Sequence, residues 1–323
     1  MSERALPLAS LVPAQLRELL RARALVLQRP VFGRRLGRHR SARAGVGLDF
    51  RDHRAYVPGD DPRRLDWRAI ARRERLVLRQ TEAEDELSVV FAADLGGAMA
   101  YGKGDAQKLS YARSLVGGLA WLASGQGDPV ALVTGREGTL EDALARPSSS
   151  PERLAGFAAQ LGDVEPAGTC PWLPLLEAMT PRLPRRSVVV VVSDFLDPSG
   201  DGQPQDDEAD RALIGALGSI RARGHDVVLL QVLHRDELEF PWTDRTTLRF
   251  TDLFGLRKPK EGAAAAIREG YLEAIRAHQA RLSERCDREG LLLHTVRTDG
   301  DIVESFLGLL ARLEGVVPEG DAA

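Results

Sequence analysis

The sequence predicts a doubly wound α/β fold with a mainly parallel sheet, preceded by a small helical and β addition at the N-terminus. Three observations predict it. Apolar runs of strand length alternate with helical runs from about residue 86 onward. The run Ser187 to Ser193 is almost entirely valine, which is typical of a central strand buried on both faces. Residues 1–85 lack this alternation and are rich in arginine. Alternating strands and helices indicate crossover units and a parallel sheet of the Rossmann type.

The N-terminal segment, residues 1–85, is predicted to hold one helix and a small β-element. The helix covers about Pro13 to Leu27 and is followed by an arginine-rich stretch. Two strands are predicted near Gly47 to Tyr56 and Leu76 to Thr81, on either side of a Pro-Gly turn and a short helix. We place the domain boundary after residue 85, so that residues 86–323 form the α/β domain.

Strands and helices alternate through this second domain. Strands are predicted over Leu87–Ala93, Pro129–Thr134, Ser187–Ser193, Asp226–Leu233, Leu248–Phe250 and Leu291–Val296. Helices are predicted over Asp105–Ala123, Pro151–Leu161, Pro171–Met179, Asp207–Arg223, Glu261–Glu289 and Asp301–Leu313. Gly290 follows the longest helix, where glycine favours a C-terminal stop. The carboxyl ends of parallel strands share one edge of the sheet. The sequence therefore predicts that Asp94, Thr169 and Asp194 lie near one another at that edge.

Composition excludes several classes of protein. The chain has 323 residues, 44 basic and 47 acidic side chains, a net charge of −3 and 43% hydrophobic residues, which excludes bulk disorder. No apolar run approaches the ~20 residues of a membrane-spanning helix, so we expect a cytoplasmic protein without a membrane span. Cys170 and Cys286 lie far apart and outside any clustered His/Cys pattern, which argues against a zinc site or a disulfide framework.

Charge is distributed unevenly along the chain. Residues 1–80 contain 19 arginines, no lysine and eight acidic residues, a net charge of +11 against −14 for the remainder. A basic face for nucleic acid or an acidic partner is one interpretation, and pairing with the acidic body of the same chain is the other. The segment lacks the aromatic interleaving of single-strand binders. Nucleic acid is therefore an alternative partner rather than the expected one.

A second alternative is a degenerate nucleotide-binding loop. The stretch Gly97 to Gly104 nearly matches the phosphate-binding pattern G-x-x-x-x-G-K-[ST], with Lys103 as its lysine. Gly104 replaces the hydroxyl that binds Mg²⁺ in that motif. Asp94, at the end of the preceding strand, places a carboxylate where phosphate would be repelled.

The most specific string of the sequence runs from Arg54 to Trp67. Pro58-Gly59 suits the centre of a type II turn, and Asp60 or Asp61 suits the N-cap of a helix that begins at a proline. A rigid structural corner and a partner-binding surface both account for these residue types. The candidate partner-binding residues are Arg54, Tyr56, Pro58, Gly59, Asp60, Asp61, Arg63, Asp66 and Trp67.

The stretch Asp94-Leu-Gly-Gly-Ala-Met99 resembles D-x-S-x-S-M, the metal-ion-dependent adhesion motif of von Willebrand factor type A domains. By this resemblance, Thr169 and Asp194 correspond to the threonine and the later aspartate of that site. Gly96 and Ala98 stand where the two metal-binding serines belong, and Mg²⁺ requires near-octahedral oxygen coordination. We therefore expect no resident cofactor and vestigial roles for Asp94, Thr169 and Asp194, with Mg²⁺ as the one ion left open. A structural cap at the strand end is the other interpretation of the first aspartate.

The string R-x-Y-x-P-G-D-D-x-R-x-x-D-W, followed by Ala71-Arg72, resembles the signature of the bacterial family known as domain of unknown function fifty-eight. The similarity extends from about Arg38 to Leu313. It implies a von Willebrand factor A-like domain and association with AAA+ ATPases of the MoxR type. Since no G-x-S-x-G elbow or nucleophile–histidine spacing occurs, no catalytic residue is predicted. The expected function is a non-enzymatic interaction or adaptor module that contacts a MoxR-type ATPase through the Arg54–Trp67 string and the sheet edge.

Overall fold

The computed structural model describes residues 3–24, 44–55, 77–82, 87–136, 146–162, 164–185, 187–196, 206–242, 247–254 and 258–314. The chain folds as two compact units, one formed by Met1–Leu36 with Leu87–Ala323 and the other by Gly37–Glu86. The described part of the smaller unit is an antiparallel pair of strands, β1 (Ala44–Ala55) and β2 (Val77–Glu82), with register shifts around Phe50. Both strands lie close to their predicted positions.

The larger unit contains a parallel sheet and a small hairpin. Its strands are β3 (Ser88–Asp94), β4 (Val130–Gly135), β5 (Ser187–Ser193), β6 (Asp226–Leu233), β7 (Thr247–Phe250), β8 (Lys260–Ala263) and β9 (Leu292–Arg297). The parallel sheet has the order β4-β3-β5-β6-β9, and β7 pairs with β8 in a separate antiparallel ribbon. If these five strands are numbered in chain order, their order in the sheet is 2-1-3-4-5. Successive strands are therefore added first on one side of β3 and then on the other, and this strand order reverses between β3 and β5. The predicted α/β class and parallel sheet are confirmed.

Helices cover both faces of this sheet. They are α1 (Ala14–Ala24), α2 (Lys108–Gln126), α3 (Pro151–Gly162), α4 (Trp172–Met179), α5 (Asp206–Ala222), α6 (Arg235–Glu239), α7 (Ala264–Glu289) and α8 (Ile302–Glu314). Alternate valines of β5 point into two separate cores. Val188, Val190 and Val192 pack with α1, α2, α3 and α8, whereas Val189 and Val191 pack with α4, α5 and α7. Two-sided burial explains why this strand has no polar alternation.

Two of the differences from the sequence-based expectations have a clear physical reason. The first helix, grouped above with residues 1–85, packs on the sheet of the larger unit: Leu16 and Leu20 are fully buried in the same core as α2. Gly118 permits this close approach, since a Cβ there would lie 3.2 Å from the Cδ2 of Leu16. The long helix begins at Ala264 rather than Glu261, because the preceding residues pair with β7. Gly290 ends it in the left-handed conformation, as predicted.

None of the described helices is both long and apolar enough to cross a membrane.

Candidate functional site

Three loops meet where the chain order of the sheet reverses. Asp94 is the last residue of β3, and Asp194 directly follows β5. The loop before α4 is bonded through its backbone to the loop after β3: Ala167 N donates to Leu95 O at 2.9 Å, and Gly97 N donates to Gly168 O at 2.8 Å. Open α/β sheets bind ligands at this reversal point, outside the carboxyl ends of the strands. Topology therefore selects this edge as the candidate site.

Asp94 is 7% exposed and accepts two short hydrogen bonds. The Gly96 backbone N–H donates to its Oδ1 at 2.6 Å, and the Ser193 hydroxyl donates to its Oδ2 at 2.6 Å. Burial raises the pKa of Asp94 to about 6, and the charge of Asp194 adds to the increase, while the two hydrogen bonds oppose it. Both hydrogen-bond donors that the described residues supply are neutral, and Lys108 acts on this carboxylate only through its charge, which lowers the pKa.

Asp194, in contrast, forms an ion pair with a buried lysine. Lys108 is the first residue of α2 and is 0% exposed. Its ammonium Nζ donates to Asp194 Oδ2 at 2.7 Å and to Glu237 Oε1 at 2.6 Å. The other oxygen of Asp194 accepts the Leu196 N–H at 3.0 Å. One ammonium therefore joins the end of β5, the start of α2 and the helix α6.

The protonation of this triad follows from its charges. Burial opposes the charge on Lys108, but Asp194 and Glu237 together outweigh burial and raise the pKa of the ammonium above its ordinary value. The pKa of Glu237 is also raised, first by burial and then by the charge of Asp194, while Lys108 opposes the increase. Lys108 donates to both carboxylates, which keeps its ammonium charged.

Neighbouring polar groups hold the triad in place. Glu237 accepts the His234 N–H at 2.7 Å in a capping box at the start of α6. Gln231 of β6 donates to the backbone carbonyl of Asp194 at 3.0 Å and accepts the Thr295 hydroxyl at 2.9 Å. Buried polar groups that are fully hydrogen-bonded fix one conformation. The site is therefore rigid at its base.

Residues 52–281 match the family described as Protein of unknown function DUF58. The chain belongs to this family. It is also similar to three proteins named only as uncharacterized: two from strains of Mycobacterium tuberculosis (CDC 1551 and H37Rv) and one from Mycobacterium bovis. Each is 25% identical over 293 residues, which cover 90% of this chain and 88% of the relative. The family match includes both aspartates of the site and Lys108.

The structure brings two of the predicted site residues of this DUF58 protein together. The others lie elsewhere or outside the described part of the chain. Asp94 and Asp194 lie together at the edge of the sheet. Thr169 lies in the adjoining loop, but among the described residues its hydroxyl forms no hydrogen bond with either aspartate. Arg54 contributes its backbone to β1, opposite Leu78. The other residues of the string lie outside the described part of the chain and stay predictions: Tyr56, Pro58, Gly59, Asp60, Asp61, Arg63, Asp66 and Trp67.

Lys108 is the site residue that sequence reasoning missed. The phosphate-loop pattern directed attention to Lys103, which is exposed. The amide of Gly96, just before that loop, bonds to Asp94, and the amide of Gly97, its first residue, bonds to Gly168 rather than facing a free anion site. One signal was available. The chain uses only four lysines against 40 arginines, and Lys108 stands at the start of the helix that follows the site loop.

We predict that restoring the two missing serines does not create a magnesium site. A Cβ at Gly96 would lie 2.9 Å from Asp94 Oδ1 and 3.3 Å from the carbonyl of Gly168, so a serine there displaces the carboxylate. Lys108 already supplies a positive charge to Asp194. Within the described ranges, no group of three or more His, Cys, Asp or Glu side chains is placed to hold a metal. Calorimetric titration of Mg²⁺ into the Gly96→Ser, Ala98→Ser double variant should give no saturable heat; a saturable isotherm contradicts the prediction.

A cavity of about 310 Å³ opens beside Asp94. Asp94, Ser193 and Asp194 line its polar part. Its remaining lining residues come from α4, α5 and the adjoining loops: Cys170, Trp172, Leu173, Pro174, Phe195, Leu196, Ala209, Asp210, Leu213 and Phe254. Apolar walls with a few convergent polar groups are typical of binding sites.

Proposed function

We propose that this DUF58 protein is a non-enzymatic interaction module that acts with an AAA+ ATPase of the MoxR type, and that its larger unit is a von Willebrand factor A-like domain. The observation that supports this proposal best is the cavity at the reversal point of the sheet. Ser193 donates to Asp94 and Lys108 donates to Asp194 at its polar end, while its walls are aromatic and aliphatic. A partner side chain fits such a pocket, since binding hot spots are anchors inserted into pockets.

The nucleophiles at this edge are held in unreactive forms, which favours binding over catalysis. Burial raises the pKa of the Cys170 thiol, and the charges of Asp94 and Asp194 raise it further, so the reactive thiolate is disfavoured. The raised pKa of Lys108 keeps its amine protonated. Ser193 is 1% exposed, and its hydroxyl donates to Asp94 and accepts the Phe195 N–H at 3.1 Å.

The outer rim of the cavity offers apolar contact area. Leu173, at the start of α4, is 40% exposed and lines the cavity. Trp172 stacks on Phe195 with ring centroids 6.3 Å apart, which fixes the aromatic wall behind it. Aromatic residues are enriched at protein interfaces. We propose that the partner contacts this rim together with the string from Arg54 to Trp67.

The test is direct binding of the host's purified MoxR-type ATPase to immobilised protein, after nuclease treatment of both. We expect Leu173→Asp to weaken binding at least ~10-fold, the effect of about 1.4 kcal/mol. Leu253→Asp is the matched control, because Leu253 is 41% exposed and does not line this cavity. An Asp61→Ala, Arg63→Ala double variant tests whether the string from Arg54 to Trp67 contributes to binding of the ATPase. Failure of the wild-type protein to bind the ATPase contradicts the proposal. An equal loss of affinity in both leucine variants would show that the cavity is not part of the interface.

A further inference from the structure

The cavity beside Asp94 carries a net negative lining. Three of its lining residues are aspartates, Asp94, Asp194 and Asp210, and none of the lining residues in the described ranges is a lysine, arginine or histidine. Its volume of about 310 Å³ lies at the small end of the range of about 300–1,000 Å³ for ligand pockets. One side chain of a partner therefore suits it better than a large cofactor.

Two of the three aspartates already have cationic partners. Lys108 donates to Asp194 at 2.7 Å. Asp210 lies 3.3 Å from His278 Nδ1 and 3.8 Å from Arg285. Asp94 differs from both, because its hydrogen-bond donors in the described part of the chain are the Gly96 amide and the Ser193 hydroxyl, and Lys108 acts on it only through its charge. Among the three aspartates, the one without a directly paired cation in the described residues therefore sits at the base of the cavity. A carboxylate offers about four acceptor positions, and two of these are used here.

The walls determine which cation fits. Trp172 and Phe254 are aromatic, and Leu173 and Leu196 are aliphatic. A bare metal ion gains nothing from such walls. An arginine side chain suits them, because its methylene stem packs on apolar surface, its guanidinium stacks on aromatic rings and its planar fork pairs with a carboxylate.

We propose that this cavity binds an arginine side chain on an exposed segment of the protein partner, with Asp94 as the carboxylate that pairs with the guanidinium. The inference rests on the proposed interaction function and specifies the chemistry of the partner. Arginine is among the residues enriched at binding hot spots, where it is desolvated in a central pocket.

The test uses two small probes of the same shape and different charge, acetyl-arginine amide and acetyl-citrulline amide. The full-length protein is labelled with 5-fluorotryptophan, and the ¹⁹F resonance of Trp172 is assigned with Trp172→Phe. We expect the arginine probe to shift this resonance with a dissociation constant of roughly 1–10 mM, as befits a single anchoring group. The citrulline probe should bind at least ~10-fold more weakly, since it lacks the charge-assisted hydrogen bond.

Two variants test whether the arginine probe binds in this cavity. Asp94→Asn keeps the shape of the side chain and removes its charge, and it should weaken the arginine probe at least ~10-fold. Ala209→Phe fills the cavity from an exposed position of α5, so it keeps the test valid if the first variant fails to fold. It should abolish the shift caused by the arginine probe.

The outcomes separate this inference from the proposed function. Equal affinity for the two probes, or an unmoved Trp172 resonance with both, overturns the arginine assignment. Binding of the MoxR-type ATPase that is unchanged by Asp94→Asn and Ala209→Phe also overturns it, while leaving the interaction function in place. Selective binding of the arginine probe by a protein that does not bind the ATPase supports the pocket and contradicts the proposed partner.

Discussion

Replacing Lys108 by methionine should lower the free energy of unfolding by about 3–5 kcal/mol, the usual cost of removing one partner from a buried ion pair. Lys108 is fully buried, and its ammonium lies 2.7 Å from Asp194 and 2.6 Å from Glu237. Methionine keeps most of the volume and removes the charge, so it leaves these two carboxylates buried without their cation. The measurement is urea-induced unfolding at pH 7, with the midpoint and slope compared between variant and wild type.

The same substitution at Lys103 is the matched control. Lys103 is exposed and belongs to the neighbouring loop, so Lys103→Met should change stability by no more than about 0.5 kcal/mol. A second comparison isolates the charge: adding Asp194→Asn and Glu237→Gln to Lys108→Met should recover much of the loss, because a neutral set of similar volume avoids burying unpaired ions. Equal midpoints for the two lysine variants would show that the triad contributes nothing to stability.

The parallel sheet was predictable because its signals are local. The valine run of β5 is buried on both faces and needs no tertiary information to identify it. Gly290 marks the end of α7 for an equally local reason, since it adopts a positive φ of 66° that favours glycine. The meeting of Asp94 and Asp194 followed from one topological rule applied to the ends of β3 and β5.

Features that depend on long-range contacts were not predictable in the same way. The placement of α1 on the larger unit depends on Leu16 and Leu20 packing against a helix about 100 positions later in the chain. The strand β8 has the sequence Lys-Glu-Gly-Ala, which lacks apolar alternation, and it forms because β7 pairs with it. Strand formation of this kind is set by context more than by intrinsic propensity.

Only part of the candidate site could be predicted from the sequence. Its two aspartates were found through a motif, but that motif directs attention to metal ligands rather than to a buried cation such as Lys108. Lys108 lies 86 residues before Asp194 and 129 before Glu237, so no spacing rule joins them. The structure adds a buried ion-pair network of Lys108, Asp194 and Glu237 to the site, with Asp94 beside it.

Asp94→Asn should stabilise the protein at pH 8, and the gain should shrink as the pH falls. The folded pKa of Asp94 is raised from 3.8 to about 6, chiefly by burial. A raised carboxyl pKa means that the folded state binds the proton more tightly than the unfolded state, so ionisation lowers stability as pH rises between these values. The full penalty is about 3 kcal/mol above pH 7, and about half of it develops between pH 5 and pH 8. Asparagine cannot ionise and avoids this penalty.

The measurement is the difference in unfolding free energy between Asp94→Asn and wild type at pH 5 and at pH 8, with Asp105→Asn as the reference for a charge removed from an exposed position. The difference for Asp94→Asn should grow by more than about 1 kcal/mol toward pH 8 relative to that reference. A variant that is less stable than wild type at both pH values would make Asp94 a structural strand cap. If Asp94→Asn is more stable than wild type but binds the arginine probe more weakly, the Asp94 charge lowers folding stability and contributes to binding. Such a result is expected at a functional site, because function is often kept at the expense of stability.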